Sequence, residues 1–149
     1  MQNFIELLKD HTLILAAGKS LAEITKSTEP QPEAAFEALG RLTRQLQTHL
    51  RAEDEFLSQD RATGYPEFAA LALEHGERFE ELVQEWTLYL ATWTMETICA
   101  DWAGFGHASR RILVCLEEQV EAENVSLYPA ALKYGLIRLL PEKTQAVRG

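Results

Sequence analysis

Three of the four histidines in this chain lie on apolar stripes of helical period, where a polar ring is costly. His11 sits among Leu7, Leu8, Ile14 and Leu15. His49 shares a stripe with Leu39, Leu42, Leu46 and Phe56 and is followed four residues later by Glu53. His75 lies among Leu71, Ala72, Phe79 and Leu82. Residues three and four apart share one helix face, so these groups point into the core that the helices build. Left without partners there, each costs several kcal/mol. A shared metal ion satisfies them together; a closed hydrogen-bonded network is the alternative.

The periodicity predicts four long helices and a short tail. The first runs from about Asn3 to Lys26 and is broken by KSTEPQP (Lys26 to Pro32). The second runs from about Glu33 to Ser58, with Pro32 in its opening turn. After the loop QDRATGY, Pro66 opens the third, which continues to about Trp93 with Phe68, His75, Leu82 and Trp86 inward. The chain turns somewhere between Thr92 and Gly106. The fourth helix carries Ile112, Leu116, Gln119, Val120, Glu123 and Leu127, and Pro129 is expected to kink or end it. A short helix then follows, limited by Gly135 and Pro141. No segment reads as a strand, and short connections make neighbouring helices antiparallel. The expected fold is therefore all-α, an antiparallel up-down-up-down four-helix bundle with a short C-terminal helical tail.

Height along the bundle decides whether inward residues can meet. His11 lies nine residues after Gln2, His49 nine before Ser58, and His75 nine after Pro66. At ~1.5 Å per residue each is roughly 14 Å from a common end, with Glu53 and Glu123 slightly nearer to it. His107 lies sixteen residues before Glu123, ~24 Å along the same helix, and reads as a helix-start or surface residue.

The halves also echo one another. THLRAEDEFL (Thr48 to Leu57) matches EQVEAENVSL (Glu118 to Leu127) at an offset of 70, pairing Glu53 with Glu123 and His49 with Gln119. Asp10-His11 against Glu74-His75 repeats more weakly. This pseudo-twofold layout suits two metal ions bridged by Glu53 and Glu123. One would take His11 and His49, the other His75 and position 119. Glutamine is a poor ligand beside neutral imidazole, so one well-made site and one weak or empty site are expected. Imidazole with carboxylate suits iron, manganese or zinc.

Composition narrows the partners. The 149 residues suffice for one domain, taken as 1–149, with 46% hydrophobic and 25% charged residues as in a soluble globule. The net charge of −9 argues against a nucleic-acid binder and against docking on an anionic membrane. MQNFIELLKDH lacks the basic start of a secretory signal, which makes the cytoplasm the expected location. Cys99 and Cys115 form no CxxC pair and are too few for a disulfide scaffold. No GxGxxG or P-loop is present, and no nucleophile or hydrolytic triad stands out. The trio Trp86, Tyr89 and Trp93, with Trp102, is expected to pack the connection between the third and fourth helices.

On these residues the chain resembles the hemerythrin-like, HHE cation-binding family. The resemblance is carried by DHTLIL (Asp10 to Leu15), HLRAEDEFL (His49 to Leu57), EH (Glu74-His75) and EQVEAENVSLYP (Glu118 to Pro129), and covers nearly the whole chain. It implies an antiparallel four-helix bundle around a non-heme iron centre, with His11 and His49 on one iron, Glu53 and Glu123 bridging, and His75 on the other. The family's fourth-helix histidine falls on Gln119 and a second third-helix histidine on Phe79. An incomplete di-iron or mononuclear centre follows. The implied role is binding or sensing of oxygen, iron, or redox and nitrosative stress, without enzymatic turnover; dioxygen or nitric oxide would be the small ligands and a homodimer an open alternative. The competing readings are a metal-free bundle serving as a protein-interaction module and, more weakly, an oxidase-type enzyme.

Overall fold

The computed structural model describes residues 2–57 and 64–141. The expected end of the second helix at Ser58 and most of the loop that follows lie outside them.

Helix starts follow local chemistry. The Asn3 side chain accepts a hydrogen bond from the Glu6 backbone N–H (2.8 Å) and opens α1, Phe4–Thr25. Prolines occupy the first turn of α2, Pro32–Leu57, and of α3, Pro66–Thr92, where a missing N–H is harmless. The poorly punctuated turn resolves into a short helix, α4, Met95–Ala100. A reciprocal Thr94–Thr97 capping box opens it, and Asp101 then caps α5, Trp102–Ala122, through the Gly104 N–H at 2.9 Å. Thr94 and Asp101 were the local signals for this boundary.

The short helix expected in the C-terminal stretch is present, and Pro129 is accommodated rather than acting as a stop. Pro129 neither ends nor sharply interrupts the helix. The chain widens just before it into a π-helical turn, Glu123–Leu127, and continues as α6, Tyr128–Lys133. A proline ring clashes with the carbonyl four residues back; the wider turn accommodates it. Beyond α6 there is no further helix up to Pro141. Gly135, at φ +72°, closes α6, with Leu136 N–H donating to the Ala131 carbonyl and Gly135 N–H to that of Leu132. The tail then returns to the start of the chain. Arg138 N–H donates to the Gln2 carbonyl (3.0 Å), and Phe4 N–H to that of Arg138 (2.7 Å), which seats Leu136 and Ile137 in the interior.

α1 packs against α2 and α5, and α3 against α5. The apolar interior divides in two. The larger cluster holds Ile14, Leu42, Trp86, Tyr89, Phe105 and Leu116 among others. The smaller holds Leu7, Phe56, Phe68, Leu127, Tyr128 and Leu136. Along α1 and α3 the smaller cluster comes first (Leu7, Phe68), then a histidine (His11, His75), then the larger (Ile14, Leu82). Along α2 and from α5 into the π turn the order reverses, with His49–Glu53 and Gln119–Glu123 between. A polar layer thus lies between two dry ones. The expected aromatic cluster is present in the larger one, where Phe105 touches the rings of Tyr89, Trp93 and Trp102. No helix among the described residues is long and apolar enough to cross a membrane.

Candidate metal centre

All six residues singled out in the sequence are buried: His11, His49, Glu53, His75, Gln119 and Glu123 are each at most 6% exposed. Four of them converge. One ligand atom from each of His11, His49, Glu53 and Glu123 lies within 4.8 Å of the other three, a group that could hold a metal ion. The facing atoms are the two Nε2 atoms, 3.0 Å apart, with Glu123 Oε1 2.9 Å from that of His11 and 3.5 Å from that of His49. Glu53 Oε2 is 2.5 Å from His49 Nε2 but meets no hydrogen-bond direction.

The rings are oriented from behind. His11 Nδ1 lies 2.6 Å from Asn124 Oδ1 and donates to it, which leaves Nε2 as a lone pair in the neutral ring. His49 Nδ1 faces the Asp10 carboxylate at 3.5 Å without forming a hydrogen bond. Outer carboxylate or amide oxygens behind inward-facing nitrogens are what metal-ligating histidines use. Buried, these polar atoms are short of partners: His49 Nδ1, Glu53 Oε2 and His75 Nε2 have no hydrogen bond. The donor set and its unmet valences fit a cation of the imidazole-carboxylate class.

Electrostatics tell the same story. Burial pushes the Glu53 carboxyl up to about 8, against the contact with His49 that lowers it. Burial would lower His49, yet Glu123 and Glu53 raise it to about 10. Burial works against the Glu123 carboxylate too, but hydrogen bonds with His11, His49 and Glu53 hold it well below the usual range. A proton on His49 thus fills part of the role a cation would fill.

His75 and Gln119 stand beside this group rather than in it. Gln119 Nε2 donates to Glu123 Oε2 at 2.7 Å. His75 Nδ1 accepts from Arg78 Nη2 at 3.3 Å; burial first, then Arg78, lowers its proton affinity. Both line a cleft of about 280 Å³ together with Glu53, Phe79 and Leu127. His107 is exposed near the start of α5, as expected. A larger cleft of about 1000 Å³ between α1 and α5 reaches the centre only at Asn124.

Three residues at the centre carried no role in the sequence reading: Asn124, Asp10 and Tyr128. Tyr128 is fully buried, with its hydroxyl 2.9 Å from His49 Nε2, 3.0 Å from His11 Nε2 and 3.2 Å from Glu123 Oε1. Its ring stacks on His11, centroids 5.0 Å apart. Burial and the two carboxylates push its phenol far above the ordinary value. Asp10 and Tyr128 do lie in DHTLIL and in EQVEAENVSLYP. Only the π turn, invisible in the periodicity, brings Tyr128 round to face Glu123.

No curated protein and no solved structure matches the chain. The family model described as the hemerythrin HHE cation-binding domain matches residues 4–131, a span that includes every residue of the cluster and ends in α6. The chain belongs to the hemerythrin HHE cation-binding domain family.

Proposed function

We propose that the protein is a non-heme iron-binding module in which His11, His49, Glu53 and Glu123 hold one ion at the centre of an antiparallel up-down-up-down bundle. The observation that carries this reading is the convergence of four buried ligand atoms within 4.8 Å. Alternation of the two apolar clusters along successive helices supports the antiparallel course. His75 and Gln119 form a second, weaker position bordering the same carboxylates.

Iron held there supplies redox chemistry toward small diatomic ligands such as dioxygen or nitric oxide, and the protein acts as a sensor or handler of oxygen, iron or nitrosative stress. Its own side chains do the rest. Asn124 fixes the His11 ring and Asp10 faces that of His49, Glu53 and Glu123 balance the charge, and the two apolar clusters exclude water above and below. Neither manganese nor zinc conflicts with the donor set. Members of the family act as binders rather than as enzymes in this reading.

The test is metal analysis of protein purified from iron-supplemented cells. Wild type is expected to retain iron, and His49→Ala to lose most of it, while His107→Ala matches wild type. Equal losses from both variants would contradict the assignment. Absence of metal from wild type, with stability unmoved by chelator, would favour a metal-free interaction module.

A further inference from the structure

Tyr128 belongs to no ligand set considered so far, yet its hydroxyl is as close to the centre as any atom there. We propose that Tyr128 is itself a metal ligand, its phenol oxygen completing a four-atom cage with His11 Nε2, His49 Nε2 and Glu123 Oε1. The inference rests on the metal-binding reading above and goes beyond it.

Distances carry the first part of the argument. These four atoms define six separations: 3.0, 2.9 and 3.5 Å among the nitrogens and the carboxylate oxygen, and 3.0, 2.9 and 3.2 Å from the phenol oxygen to each. They form a nearly regular tetrahedron with edges averaging about 3.1 Å. The centre of such a figure is roughly 1.9 Å from each corner, close to the ~2.0–2.2 Å of metal–nitrogen and metal–oxygen bonds. Without Tyr128 these three atoms form a triangle, with Glu53 the one further donor already assigned.

Protons carry the second. Six contacts between polar atoms need hydrogens between them to be attractive. Tyr128 has one. His49 Nε2 offers at most one. In its neutral form His11, donating to Asn124 through Nδ1, offers none at Nε2. The carboxylate oxygen offers none. Two hydrogens cannot serve six contacts, and buried polar atoms left facing each other are costly. One cation answers all four lone pairs.

The backbone supplies the third. Five residues along a regular α-helix, Glu123 and Tyr128 would point about 140° apart. The π turn pairs residues five apart instead, with Tyr128 N–H donating to the Glu123 carbonyl, and this puts both side chains on one face. π turns of this kind recur at functional sites.

Ligation forms the metal–oxygen bond and breaks the Tyr128 O–H bond. The phenol proton passes to solvent, together with those that His49 and Glu53 carry before they ligate, and no electron moves. A cation at the centre reverses the local charge balance that otherwise holds the phenol protonated.

The experiment loads the full chain with ferrous iron anaerobically, oxidises it with ferricyanide, and measures iron content, the visible spectrum and the resonance Raman spectrum. Wild type is expected to hold iron and to show a phenolate-to-iron charge-transfer band with tyrosinate ring modes. Tyr128→Phe, which removes one oxygen and keeps the ring, is expected to lose both. Iron-loaded wild type without tyrosinate modes overturns the proposal and leaves the metal-binding reading intact, whether or not the variant folds. A band that survives in Tyr128→Phe overturns it likewise. Failure of wild type to take up iron overturns both readings.

Discussion

Replacing Glu53 with glutamine should make the metal-free protein more stable and the metal-loaded protein less so. In the folded chain the carboxyl is held at about 8 against an ordinary 4.5. Folding at pH 7 therefore requires it to take up a proton. The gap between 4.5 and 7, at ~1.4 kcal/mol per pH unit, corresponds to about 3 kcal/mol. Because the folded value is raised, this carboxyl is favourable to folding below pH 4.5, and that contribution is lost as pH rises toward 8. Glutamine does not titrate. Part of the gain is returned through the lost contact with His49, which Glu53 helps to keep charged. The expected net gain for Glu53→Gln is about 2 kcal/mol at pH 7 and near zero at pH 4. Urea unfolding with chelator present, at both pH values, reads it directly. Added ferrous iron should then reverse the order. An ion at a hundredfold its Kd stabilises wild type by about 2.7 kcal/mol, and the variant, lacking a ligand, gains less. A metal-free variant weaker than wild type at pH 7, or a gain of equal size at pH 4, would refute this account of the buried carboxyl.

Wild type should saturate at one tightly held ion per chain or fewer, because Gln119 replaces an imidazole; Gln119→His is expected to raise that number, and two tight ions in wild type would defeat the argument. Above pH 10 the protein should lose stability through Tyr89. Burial lifts its phenol to about 12 despite the 2.5 Å hydrogen bond with Ser109; the contribution is intact below 10 and disappears as pH rises through 12, a loss of roughly 3 kcal/mol. Comparing urea midpoints at pH 9 and pH 11.5 with Tyr89→Phe, which should show a smaller drop, checks it. Phe105→Ala should cost about 3–5 kcal/mol, since the ring is fully buried between Tyr89, Trp93 and Trp102. Iron content per folded chain should stay at the wild-type level, because the larger apolar cluster is separate from the centre.

Much of the polar layer was legible because period and height are backbone properties. A histidine on an apolar stripe must point inward, and equal distance from one end places His11 and His49 at one level; the structure brings both together with Glu53 and Glu123. The same count put His75 at that level, and it is buried there, yet its nearest polar partner is Arg78 on its own helix. Height fixes position along an axis but not rotation about it. Tyr128 and Asn124 escaped for a related reason. A regular 3.6-residue count turns them away from Glu123, and nothing in the composition announces the widened turn. Pro129 hinted at irregularity and was read as a kink or a stop, because its clash with the preceding turn admits more than one resolution. The break before α5 was placed between Thr92 and Gly106 and lies there, but its short helix was not foreseen because threonine and aspartate caps are common residues in ordinary places.

The short parallel clasp between Gln2–Phe4 and Arg138 lies at the same end of the molecule as Tyr128. Leu136 and Ile137, tucked in by that clasp, seal the floor beneath the phenol ring. A protease nicking the backbone after Gly135 would remove this floor and let water rise to the histidines. Cutting off a segment that holds no ligand would thus be enough to open the proposed metal centre to water.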